Sequence, residues 1–155
     1  METQGNAVKA LQILYKALLA GQLLFAIMVI LLFARGILSP AITNPAATIF
    51  FYVAIGLSVA ATAFSYKLFA QKLEEAKQQK TPTEKFNGYR AALILQLGLC
   101  EMPALFVIIC YFLTGNKMLL ALLILLLLNF ARLYPIRSKI IQQLELDQDA
   151  ESVLD

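Results

Sequence analysis

The residue best placed to do chemistry is Glu101. It stands alone as a carboxylate within an apolar run from Ala91 to Leu113, AALILQLGLCEMPALFVIICYFL. On insertion scales a charged side chain at such a depth costs about 2.5–3.5 kcal/mol, so its presence calls for a reason. In apolar surroundings the neutral carboxyl is the favoured form, and it donates one hydrogen bond while accepting others. Pro103 follows two residues later. A proline within a helix leaves the carbonyl four residues earlier, here that of Leu99, without its usual partner. The middle of the first apolar run falls at Gln22, and that of the second at Ser58, with Thr62 one turn on. If the runs are antiparallel helices, Gln22, Ser58 and Glu101 share one level, with Thr62 a turn from it. Two roles fit such a layer. It could bind a proton or cation reversibly, or its hydrogen bonds could simply hold helices together.

Other chemistry is poorly served. The chain has no His, which removes the commonest general base and a common metal ligand. No Ser-Lys pair, paired aspartates or lipid-phosphate motif stands out. The reading is therefore of no enzyme: no catalytic residue, no metal and no cofactor. Cys100 and Cys110 lie in one run, roughly 280° apart around a helix, and read as two free buried thiols.

The elements that must position these groups are long and apolar. Of the 155 residues, 60% are hydrophobic and 15% charged, and the mean hydropathy is +0.73. A soluble domain of this size has too small a core to hide so much apolar surface. About 20 apolar residues carry a helix across a bilayer. Four stretches meet or approach that: 11–33, 47–69, 91–113 and the leucine-rich 118–134. The expected fold is all-α, a four-transmembrane-helix bundle of two hairpins forming one membrane domain. Between the stretches lie a Pro-containing turn, a polar linker over 72–85 in which the second helix runs on until Thr81-Pro82 stops it, and a tight Thr114-Gly115-Asn116 turn. Within the tail, 136–155, the spacing of Ile136, Ile140, Ile141 and Leu144 predicts a short helix at the membrane interface. The acidic residues after it read as unstructured. The first stretch is too long for the apolar core of a cleaved signal peptide, and no A-x-A site follows it.

Charge sets the orientation. With both termini and the 72–85 linker on one side, that side holds eleven of the thirteen basic residues, leaving Arg35 and Lys117 opposite. Lys and Arg concentrate in cytoplasmic loops. The expectation is a multi-pass protein of the inner (cytoplasmic) membrane with cytoplasmic N- and C-termini. Its expected partners are membrane lipids and a second copy or a membrane complex, with no nucleic acid.

Two patterns remain. Small residues alternate along the second stretch at Ala54, Gly56, Ser58, Ala60 and Thr62, a run that suits close helix packing on two sides. Tyr15-Lys16-Ala17 with Gln22-Leu23 recurs as Tyr89-Arg90-Ala91 with Gln96-Leu97, as though two hairpins were related.

The alternating small residues, the polar linker and Glu101-Met102-Pro103-Ala104-Leu105-Phe106 together resemble the hairpin of the rotor-ring proteolipid, the c subunit of rotary ATP synthases. That resemblance implies proton or cation translocation through Glu101. It covers about a third of the chain. The run has one Gly where that family is Gly-rich, the linker is longer, and the carboxylate falls on the third helix. As a whole the chain looks like small four-span bacterial membrane proteins. The favoured expectation is a non-enzymatic structural or accessory subunit that oligomerises or joins a membrane complex. The alternative is a proton- or cation-translocating, proteolipid-like element.

Overall fold

A computed structural model describes residues 5–145, with side chains placed from Val8 onward. The five helices are α1 (Gly5–Ala34), α2 (Ala46–Lys77), α3 (Pro82–Thr114), α4 (Met118–Ala131) and α5 (Arg137–Leu144). No strand occurs among the described residues. Three of the helices, α1, α2 and α3, are long and apolar enough to cross a membrane. Their outward faces are apolar as well as their inward ones: Leu24, Ile27, Val53, Phe64 and Met102 are all exposed. A helix that is apolar all round needs an apolar environment on its outside.

The bundle is built around α3. Half of its most apolar stretch is buried, against 17% for α1 and for α2. It packs most extensively on α2, then on α4 and α1. Two clusters form the interior. At the α5 end, Leu11, Tyr15, Phe86, Tyr89, Leu97 and Phe130 pack with Ile140 and Leu144 of α5. At the other end, Val29, Ala54, Val107, Tyr111, Leu119 and Leu123 come together.

Several element ends differ from the expectation. The 72–85 linker is largely helix, since α2 continues to Lys77 and α3 already begins at Pro82. Thr81 does not end α2; it opens α3. Its hydroxyl accepts from the Glu84 amide, and the Glu84 carboxylate accepts from the Thr81 amide, a reciprocal cap with proline at the first helical position. Gly88 explains how close these extensions lie. A Cβ added there would sit 2.8 Å from the Cβ of Ala76.

The tight turn at Thr114–Asn116 stands as expected. Gly115 has φ of 63°, which favours glycine, and its amide caps α3 on the Tyr111 carbonyl. The longer first loop folds onto this turn: the amides of Ala41 and Ile42 both donate to the Leu113 carbonyl.

The fourth stretch is shorter as a helix than the expected 118–134. Its 14 residues rise about 21 Å, less than the roughly 30 Å of a hydrocarbon core. Residues 132–136 turn and extend before α5 starts. The expected short helix exists at Arg137–Leu144, but it sets its apolar side against the bundle. Ile140 and Leu144 are fully buried while Ile136 stays exposed. An ion pair between Lys77 and Glu145, 2.9 Å apart, ties its end to α2. Hydrogen bonding from Lys77, and then its charge, hold the Glu145 carboxyl below its ordinary value. The acidic tail beyond Glu145 lies outside the described residues.

Candidate functional site

The four polar groups of the expected layer make no hydrogen bond to one another. Ser58, buried on α2, donates to the Ala54 carbonyl of its own helix at 2.6 Å. Thr62 is half-buried, and its carbonyl accepts from Ser65. Ser58 and Thr62 do share a shallow depression between α2 and α4, and there the third polar side chain is Asn129. Gln22 of α1 is 0% exposed, and neither its amide nitrogen nor its oxygen has a partner. Glu101 is half-buried and makes no hydrogen bond or ion pair among the described residues.

The small-residue run divides in the same way. Ala54 and Ser58, one turn apart, are buried against the bundle, whereas Gly56 and Ala60 face outward. Space is open around Gly56, with nothing within 4 Å of where a Cβ would sit. Ala60 lines an open apolar groove between α2 and α3, with Leu57, Phe64, Leu99, Met102 and Phe106 among its walls.

Polar pairing concentrates instead toward the α5 end, beginning at Cys100, the residue before Glu101. Ser65 is fully buried and donates to the Thr62 carbonyl at 2.8 Å. Its single proton is thereby used, so the Cys100 thiol 3.1 Å away is the donor to Ser65 Oγ. The Tyr66 hydroxyl donates to Asn129 Oδ1 at 2.9 Å, linking α2 to α4. Gln12 Nε2 donates to the Pro135 carbonyl, fastening α1 to the segment after α4.

Beside these lies a half-open cavity of about 310 Å³ between α2, α3, Leu133 and α5. Its polar lining comes from Tyr66, Tyr89, Gln96, Lys139 and Gln143. Tyr89 and Gln96 are 2% and 3% exposed, and neither side chain has a hydrogen-bond partner among the described residues. The Gln143 side-chain oxygen is buried and also unpartnered. Lys139 is exposed at the rim, where its ammonium donates to the Arg132 carbonyl at 3.3 Å.

Among the polar groups of this cavity, Tyr89 and Gln96 carry a pattern visible in the sequence, as half of the Tyr/Gln repeat. That repeat was the available signal. Seven residues is two helical turns, so each glutamine lies on the same face as its tyrosine. Both members of both pairs are buried, while Lys16 and Arg90 between them are exposed. Among the described residues, no group of three or more His, Cys, Asp or Glu side chains could hold a metal ion. Comparison with known protein families, with curated proteins and with solved structures gives no match.

Proposed function

We propose that the chain is a four-pass protein of the cytoplasmic membrane, with both termini inside, that serves as a non-enzymatic subunit assembling with a second copy or another membrane protein. The three long apolar helices and their apolar outward faces support the membrane setting. The distribution of basic residues supports the orientation. Glu101 carries the assembly reading. A half-exposed carboxyl in mid-helix with no partner in its own chain is costly in lipid, and a polar group from a neighbouring helix removes that cost. The exposed Gly56 and Ala60 offer a face on which a neighbouring helix can approach closely.

The test is the assembly state after extraction in mild detergent, by native mass spectrometry and by co-purification from membranes. The expected particle is larger than one 17.2 kDa chain. Glu101→Gln, which keeps hydrogen bonding, retains it, and Glu101→Leu loses it. A lone chain from native membranes overturns the reading.

The half-exposure of Glu101 also favours a second reading, in which the carboxyl carries a proton or cation. A sealed carboxyl could not exchange one. Proteoliposomes containing a pH-sensitive dye separate the two readings. Proton flux that Glu101→Gln abolishes establishes the second, and flux unchanged by it removes the second.

A further inference from the structure

We infer that the cavity between α2, α3 and α5 is a binding site for a phosphate bearing a hydroxylated group, the chemistry of an anionic glycerophospholipid head group. The inner wall is neutral: the Tyr89 phenol and the Gln96 amide line it without a partner among the described residues, and the buried, unpartnered Gln143 side-chain oxygen lies beside them. The phenol can donate, the amide can donate and accept, and both line one half-open space, which suits an occupant that both donates and accepts. A hydroxyl does both. A bare carboxylate accepts only, and would leave the Gln96 amide oxygen without a donor.

The rim supplies the charge. Lys139 stands at the mouth with one donor directed at the Arg132 carbonyl and others free for an anion. An ammonium there disfavours a choline head group, whose positive end carries no proton to donate. The remaining walls are apolar, among them Phe69, Leu73, Leu93 and Leu133, which suits a ligand with a hydrocarbon end. Placement agrees. Gln96 lies about 7 Å along α3 from Ala91, where the membrane-embedded stretch begins, and so within reach of the head-group region. In this respect the inference rests on the membrane setting proposed above.

The two buried free thiols, Cys100 and Cys110, provide the assay. A thiol-reactive fluorogenic dye reports thermal unfolding of the full chain in detergent as they become exposed. Short-chain phosphatidylglycerol is expected to raise the unfolding midpoint saturably, and phosphatidylcholine to leave it unmoved. Gln96→Leu and Lys139→Gln are each expected to weaken the phosphatidylglycerol response about tenfold, the value of one hydrogen bond to a charged or buried group. Lys139 is exposed, so its variant tests the site even if Gln96→Leu fails to fold.

sn-Glycerol 3-phosphate is the soluble arm. If it saturates the same response, the site stands with a free phosphate as its source. If only the lipid does, the site stands with a lipid source. Equal responses to phosphatidylglycerol and phosphatidylcholine with no response to glycerol 3-phosphate, or wild-type affinity in Lys139→Gln and in any folded Gln96→Leu, overturn the inference. Failure of the membrane reading would show separately, as release of the chain from membranes by alkaline carbonate.

Discussion

Tyr15 with Gln22 and Tyr89 with Gln96 are the same pair at the same spacing on two helices, yet they end in opposite circumstances. On α1 the surroundings close completely. Tyr15 stacks on Phe130 with ring centroids 5.2 Å apart, meets Tyr134 edge-on, and directs its hydroxyl at the Phe130 carbonyl through a long 3.4 Å contact. Gln22 is sealed, without a partner and lining none of the described cavities. On α3 the tyrosine's one ring contact among the described residues is with Phe69, edge-on at 5.9 Å, and both polar ends line the half-open cavity. The difference lies in the neighbours. The end of α4 brings aromatic rings against α1, while α2 and the short α5 meet α3 without filling the space between them. Equal sequence therefore gives a packing device in one place and a ligand-ready wall in the other.

Four measurements test that contrast. The largest effect is expected from Gly88→Ala, one residue before Tyr89. The added Cβ meets Ala76 at 2.8 Å and forces α2 and α3 apart, costing about 1–3 kcal/mol in thermal or denaturant unfolding. A neutral result would mean that the helices near the cavity are not held as closely as described.

Next is Gln22→Met, which replaces a sealed, unpartnered amide with an apolar chain of similar shape. Stability should rise by about 1 kcal/mol, since an unsatisfied buried amide is costly. A loss of stability would show that Gln22 has a partner and is not the silent member of the pair.

The tyrosines separate more finely. Tyr15→Phe should cost about 0.6 kcal/mol, typical of a hydrogen bond between membrane helices, while Tyr89→Phe should leave unliganded stability unchanged. Equal losses would erase the distinction.

The smallest effect concerns acid. The Glu145 carboxyl is held below its ordinary value of 4.5 by Lys77, so its contribution is present above that value and fades as pH falls through the lowered one. The pair is exposed and the effect correspondingly slight. It should show as a loss of hydrogen-exchange protection, relative to the intrinsic rate, in α5 with none around Tyr15, and an acid response shared by both regions would count against a tie specific to α5.

Much of the architecture is legible in the sequence because apolar length is a direct signal. The runs around Gln22, Ser58 and Glu101 fall on α1, α2 and α3, and the Gly115 turn falls where expected. Element ends are less legible. The Lys72–Lys85 segment is polar, and polarity says where a chain leaves lipid but not where a helix stops. The shared depth of the polar residues could be counted, but their facing could not. Depth depends on residue number alone, whereas pairing between Gln22, Ser58 and Glu101 depends on helix rotation. The cavity was the least accessible feature. It draws on Tyr66, Tyr89, Gln96, Leu133 and Lys139, which come from α2, α3, the segment after α4, and α5, so no local window contains it.

The brevity of α4 has a consequence for the bilayer itself. On the four-pass reading proposed above, a helix of about 21 Å can cross only where the membrane conforms to it, by local thinning or by head groups dipping toward Arg132. Such hydrophobic mismatch costs fractions of a kcal/mol per ångström, and it falls on one flank of the molecule only. That flank ends at Leu133, in the wall of the cavity. The protein would thus carry its own dimple in the membrane, favour thinner bilayers over thicker ones, and draw the polar surface of the lipid down to the mouth that Lys139 guards.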